Sequence, residues 1–254
     1  MLTFSASVES DETVKIIDAP NRLERQTESM VEIPAGPFKF GEKPVDAQID
    51  DPFWIDLYLV TNARFKEFIE AGGYEIEAWW LPEGWNWREK ERIFRPLYWE
   101  DTKWNADDHQ VVGVSWYEAN AFCNWLGASP KDDYIYHLPD EKQWERAARG
   151  TDGRIYPWGD EFDSARCNTE ESGIGKTTRI DRYADGLSPD GCYDMAGNVL
   201  EWTSTFLDNS KDAYVIKGSS WFNTAKLARC AARDDYSPVN RSGAVGFRCA
   251  RTKK

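Results

Sequence analysis

Apolar positions along this chain follow short periods that change repeatedly, and each change marks a small element. Met30-Val31-Glu32-Ile33 and Phe38-Lys39-Phe40 alternate like a strand interrupted by a turn at Pro34-Ala35-Gly36-Pro37. Trp54 to Val60 reads as a second strand. Phe65, Phe68 and Ile69 fall on one face of a helix predicted over Asn62 to Ala71, which Gly72-Gly73 ends. Ser115-Trp116-Tyr117-Glu118 is a capping box ahead of the helical stripe Ala119, Phe122, Cys123 and Leu126, closed by Gly127. Asp140 and Gln143 repeat that logic before Trp144, Ala147 and Ala148, with Gly150 as the stop. The tryptophan-rich stretch from Trp79 to Trp104 has no period and is predicted to be a long structured loop. Beyond Thr151 no helix of any length is expected, and Gly, Asp and Asn punctuate short strands such as Ala213–Ile216 and Val245–Arg248. The pattern gives one α+β domain over residues 29–254 with much irregular structure, preceded by a polar arm or added strand at residues 1–28.

The final part of the chain departs from this patterning. Gly218-Ser219-Ser220-Trp221 and Gly246-Phe247-Arg248 are packing anchors, with glycines where backbones approach closely and aromatics beside them. Between them lie Phe222-Asn223-Thr224, Asp234-Asp235-Tyr236-Ser237 and Ser242-Gly243-Ala244, with no apolar period. A segment fixed at both ends that does not pattern as core is expected to be a surface that meets something. Its rigid aromatics and small hydrogen-bonding residues have the physics of a paratope.

Composition narrows the partners. The 254 residues are 41% hydrophobic, enough for a sizeable core, and 13 tryptophans suit a loop-rich interior. A net charge of -13 argues against nucleic acid and against anionic membrane surfaces. No apolar run reaches membrane-spanning length, and the first residues lack the features of a secretory signal, so a cytoplasmic location is the default expectation. The five cysteines form no CxxC pair, and neither His109 nor His137 has a neighbour at ligand spacing, so zinc is not expected.

Six ordered motifs carry a resemblance: Val112-Gly113-Val114-Ser115-Trp116-Tyr117-Glu118-Ala119, His137-Leu138-Pro139-Asp140-Glu141 through Trp144-Glu145, Tyr156-Pro157-Trp158-Gly159, Gly197-Asn198-Val199-Leu200-Glu201-Trp202-Thr203, and the two anchors. The series resembles the formylglycine-generating-enzyme (sulfatase-modifying factor) domain, a branch of the C-type lectin fold, over about residues 29–251. The resemblance implies the fold; activity does not follow from fold alone. Enzymes of this family oxidise a substrate cysteine with two cysteines just before an Arg-Cys-Ala-Ala-Arg run. That run stands here at Arg229–Arg233, but residues 221–228 contain no thiol, so neither the nucleophile nor a soft copper ligand is present there. A sulfoxide-forming branch takes its iron ligands largely from an extra helical domain and histidines that this chain lacks. Copper and iron are therefore not expected.

A third branch is more similar. Variable proteins of diversity-generating retroelements place a hypervariable ligand site between a Gly-Gly-Ser-Trp-like anchor and Gly-Phe-Arg. Its mixed positions here, Phe222, Asn223, Thr224, Asp234, Asp235, Tyr236, Ser237, Ser242, Gly243 and Ala244, are all reachable from an AAY codon by adenine change alone, whereas Lys226 is not. The expected contact set is those positions with Trp221, Lys226 and Val239, the expected ligand is protein, and the expected function is non-enzymatic display of a diversified binding site. The alternative is a formylglycine-generating oxidoreductase acting on a sulfatase cysteine.

The family also implies a structural calcium site. By matching position, Asp194 and Glu201 offer carboxylates and Gly197 and Val199 offer carbonyls, the hard oxygens calcium takes. The competing reading makes Asp194 a turn residue and pairs Glu201 with an arginine. A second family site would begin at Asn168, where Ser172 stands in place of an expected carboxylate. Cys123 and Cys249 match positions bonded in secreted relatives. Arg229, Arg233, Arg241 and Arg248 are expected to bind carbonyls and acidic residues within the domain.

Overall fold

The computed structural model describes residues 29–128 and 133–254; the arm expected at residues 1–28 lies outside them. Strands β1 (Met30–Ile33) and β4 (Phe53–Asp56) pair antiparallel, and β10 (Ala250–Lys253) inserts between β4 and β5 (Tyr134–His137). The far end of the domain is thereby hydrogen-bonded to its beginning. β2 (Gly36–Phe40) and β3 (Val45–Ile49) form a separate hairpin. The second four-stranded sheet has the order β8 (Asp234–Tyr236), β7 (Tyr214–Lys217), β6 (Leu200–Phe206) and β9 (Val245–Gly246), with β9 parallel to β6. It carries the C-terminal anchors.

Among the described residues the helices are α1 (Asn62–Glu70), α2 (Pro82–Lys90), α3 (Trp116–Leu126) and α4 (Glu141–Arg149). Both reciprocal caps form: Ser115 Oγ accepts from the Glu118 N–H at 3.2 Å, and Asp140 Oδ1 accepts from the Gln143 N–H at 2.8 Å. The 79–104 stretch corrects the expectation of loop throughout, because α2 lies inside it. Pro82 at the first helical turn initiates that helix, and the Arg88 guanidinium lies 4.5 Å from the Trp85 ring. No apolar stripe announces α2, since tryptophans and charges alternate around it. The 3₁₀ turns at Glu170–Ser172 and Ala184–Gly186 are the only helical pieces described beyond residue 151.

Aromatic packing joins the layers. Phe65, Phe68 and Phe122 are fully buried, and the Phe247 ring lies 5.4 Å from Phe122 and 6.2 Å from Phe65. The second half of the Gly246-Phe247-Arg248 anchor is thus core. No described helix is long and apolar enough to cross a membrane.

Candidate functional site

The loops that follow β7 and precede β9 meet beside the start of β6. Gly197 N–H donates to the Gly218 carbonyl, Trp221 N–H to Asn198 O at 3.1 Å, and Leu200 N–H to Ala244 O at 2.9 Å. Trp221 is held at its other end by its indole N–H, which donates to Gly243 O at 2.9 Å. Its ring lies 5.5 Å from Trp104, and Trp104 lies 5.9 Å from Tyr98. Lys103 Nζ sits 4.4 Å from the Trp104 ring and 5.5 Å from Trp221, a cation resting on two indoles. On this frame Phe222 projects into solvent, 67% exposed, with its ring 5.6 Å from Trp221. Asn223 is tethered through its carbonyl to Glu170 N–H at 2.9 Å, while Thr224 and Lys226 are exposed.

The expected contact set divides into two parts. Trp221, Phe222, Asn223, Thr224, Ser242, Gly243 and Ala244 gather at the β6–β9 side. Asp234, Asp235 and Tyr236 form β8 on the opposite edge of the sheet, three strand spacings away, or roughly 14 Å. Ser237 and Val239 lie on the connection between them, pinned where Trp116 N–H donates to Pro238 O at 3.1 Å. Two members are not free surface. Gly243 is buried, and a Cβ there would lie 3.4 Å from Trp104 and 3.5 Å from Tyr98, so it packs under the frame. Tyr236 is half-buried against Trp202, with ring centroids 6.2 Å apart. Asp234 and Val239 are exposed; Asp235, Ser237, Ser242 and Ala244 are half-exposed.

Sequence patterning missed the support supplied by Tyr98, Lys103, Trp104 and Gly113. The Gly113 carbonyl accepts from Leu97 N–H at 2.9 Å and from Arg241 Nε at 3.0 Å, while its own N–H donates to Ser242 O at 2.9 Å. One residue therefore braces the tryptophan loop against the C-terminal segment. Gly113 has a φ of 71°, and a Cβ would fall 2.7 Å from the Tyr98 ring. The density of tryptophans was the available signal for that loop.

No thiol reaches this face. All five cysteines are free and buried. Burial pushes the Cys167, Cys192 and Cys230 thiols up to about 12, and raises Cys249 well above its ordinary value. Cys123 and Cys249 Sγ atoms lie 3.6 Å apart in the core. The four arginines take structural partners: Arg229 pairs with Glu42, Arg233 with Glu141 at 3.1 Å, and Arg241 with buried Glu118 at 3.1 Å. Arg248 is fully buried and holds both oxygens of Glu201, at 2.7 and 2.9 Å.

That pairing bears on the cation site. Glu201 has its charge offset by a guanidinium, as the competing reading of the sequence has it, while Asp194 does not. Asp194 has a φ of 55°; its Oδ2 accepts from Asn198 Nδ2 at 3.0 Å, and its Oδ1 has no partner among the described residues. Burial raises its carboxyl to about 7. Gly197 bridges to Asn168, whose own carbonyl accepts from Asn198 N–H at 2.7 Å. Asn168 Oδ1 accepts from Ser172 Oγ at 3.0 Å and its Nδ2 donates to Lys176 O at 2.9 Å, so its side chain is already engaged. The orphaned, buried Asp194 oxygen beside the Gly197–Val199 turn is a hard donor of the kind calcium takes, whereas both Glu201 oxygens are held by Arg248 and no cluster of three His, Cys, Asp or Glu side chains forms there among the described residues.

The sulfatase-modifying factor enzyme 1-like domain model matches residues 17–253. The chain belongs to that family. Among sequence relatives, the inactive C-alpha-formylglycine-generating enzyme 2 of Bos taurus is 32% identical, covering 89% of this chain and 88% of the relative. The formylglycine-generating enzyme of Streptomyces coelicolor is 30% identical, covering 91% of each. The family fold recurs in PvdO from Pseudomonas aeruginosa, with a TM-score of 0.71 at 21% identity over 95% of this chain and 99% of that one. Treponema denticola variable protein 1 shares it with a TM-score of 0.66 at 19% identity, over 87% and 94% of the two chains. The fold is therefore the C-type lectin-like one of the sulfatase-modifying factor family, and its members include both catalytic and inactive proteins by name.

Proposed function

We propose that this member of the family is a non-enzymatic binding protein whose C-terminal segment displays an exchangeable ligand surface. The observation that carries the reading is Phe222. Within the thiol-free stretch where the family's enzymes carry their cysteine pair, this chain places an exposed phenyl ring on a rigid indole frame. An exposed aromatic on a stiff support is the arrangement of a contact anchor, and no accessible thiolate is left to begin a cysteine oxidation. The two-part geometry favours a protein ligand. A separation of roughly 14 Å fits within one face of a standard interface, about 800 Å² per partner. Likeness of fold to a variable protein, together with residue types at the mixed positions that are all reachable from an AAY codon, supports diversification of this segment.

Sequencing the flanking DNA tests the reading. A near-copy of the codons for Trp221 to Arg248, with adenines at the mixed positions and a reverse-transcriptase gene nearby, is the expected result. A genomic neighbourhood without that repeat overturns the diversification of this segment.

Calcium is the ion we propose for the Asp194 turn, held by Asp194, the Gly197 and Val199 carbonyls and Glu201. Bound there it would cross-link the turn without taking part in chemistry. Asp194 rises from 3.8 to about 7 on folding. Without metal, folded Asp194 therefore retains a proton that it releases on unfolding, and its contribution to stability falls as pH rises from about 4 towards 7. Calcium replaces that proton. At pH 7.5, calcium at a hundredfold excess over Kd is expected to raise Tm by about 5 °C or more relative to chelator. Asp194→Asn should remove the calcium response and Asp194's share of the pH slope; an unchanged Tm on adding calcium to the native protein contradicts the site.

A further inference from the structure

The tryptophan loop does more than brace the C-terminal segment. Residues 91–101 curl with Arg241 around an open cavity of ≈ 670 Å³, within the size range of small-ligand pockets. Two of its walls, Phe94 and Leu97, are 60% and 52% exposed, a substantial cost in water for a loop built only to cover core. Tyr98 and Trp99 contribute aromatic surface. The ionic groups of the lining are largely paired: Arg95 with Glu100 at the exposed rim, and the more buried Arg241 with Glu118. Glu91, Arg92 and Asp101 add charges of both signs, with no excess of cation. Aromatic and aliphatic walls set among ionic groups of balanced charge suit a neutral side chain better than an anion or a cation.

The cavity adjoins the exchangeable segment directly. Arg241 lines it and donates to the Arg95 carbonyl, and Ser242 follows in sequence, tied through Gly113 to Leu97. We propose that this cavity is a fixed anchor pocket for a neutral aromatic or aliphatic side chain of the protein ligand, and that the exchangeable residues form the rim deciding which protein is accepted. The proposal rests on the protein-binding reading above. It assigns the two tasks of an interface to different parts of the chain: desolvated anchoring to the loop, discrimination to the segment.

The test uses the full chain and amino-acid amides as probes. N-acetyltryptophanamide and N-acetylleucinamide are titrated against protein labelled at Ile and Leu methyls, with N-acetylargininamide and N-acetylglutamate amide as charged controls. Saturable shifts at Leu97 and Ile93 with the neutral probes are expected, weakened at least about tenfold by Leu97→Glu. Phe222→Ala should leave probe affinity within about twofold, because the rim does not form the pocket. Absence of shifts, or preference for a charged probe, overturns the pocket. A missing genomic repeat alone would sink diversification and leave this result intact, so the two failures are distinguishable.

Discussion

Replacing Arg248 with methionine is expected to lower the unfolding free energy by about 3–5 kcal/mol, the usual cost of stranding one partner of a buried ion pair. Arg248 is fully buried, and its guanidinium bonds more than Glu201. It also donates to the Asp56 carbonyl at 3.0 Å, the Leu57 carbonyl at 3.3 Å and the Tyr193 carbonyl at 2.8 Å. One planar group thus ties β4, the 193–194 turn and β6 to the chain entering β10. Methionine fills much of the volume but takes the arginine donors from the Glu201 carboxylate and from the Asp56 and Tyr193 carbonyls; the Leu57 carbonyl keeps the Tyr193 N–H at 2.8 Å. Lysine is not expected to rescue, because a single ammonium cannot reproduce the bidentate grip on Glu201. Denaturant unfolding measures the effect; a loss below about 1 kcal/mol would show that the buried pair is dispensable.

Gly218→Ala carries the second large expectation, a loss of about 3 kcal/mol from left-handed strain and overpacking together. Gly218 has a φ of 93°, and a Cβ there would lie 2.9 Å from the ring of Trp144, which is fully buried. The ring sits fully buried in close-packed core, with Lys217 Nζ 5.6 Å from its centre and itself fixed to Glu145 at 2.9 Å, so it has little room to move. Gly243 provides the internal contrast. It lacks positive φ and meets its neighbours at ordinary contact distance, so alanine there should cost less than about 1 kcal/mol.

The caps, the two anchors and helices α1, α3 and α4 were legible in the sequence because each is decided by neighbours in the chain. Ser115–Glu118 and Asp140–Gln143 are local bargains between side chain and backbone, and the stripes that follow them have helical spacing. Helix α2 was not legible: Gly84 and alternating tryptophans and charges gave no stripe, and its place depends on contacts such as Gly84 against the Tyr117 ring. β10 escaped notice because its partners β4 and β5 lie over a hundred positions away in the chain. The mixed segment was visible as an interruption in pattern, but not its division across the sheet, which follows from strand order. Nor could the sequence say that Gly243 packs beneath Trp104, or that Glu201 meets Arg248 while Asp194 keeps an oxygen free. Those outcomes depend on which long-range partner arrives.

A stiff frame carrying residues that the frame does not need is the physical core of the account. Phe222, Thr224, Lys226 and Val239 are exposed, and each is expected to be replaceable at about 0.5 kcal/mol or less. The direct measurement is denaturant unfolding of proteins in which all four are exchanged together for varied residues, compared with Gly218→Ala. Stabilities within about 2 kcal/mol of the parent are predicted for the combined variants. Losses matching or exceeding that of Gly218→Ala would mean that these side chains hold the fold together, and the segment could not then be an exchangeable surface.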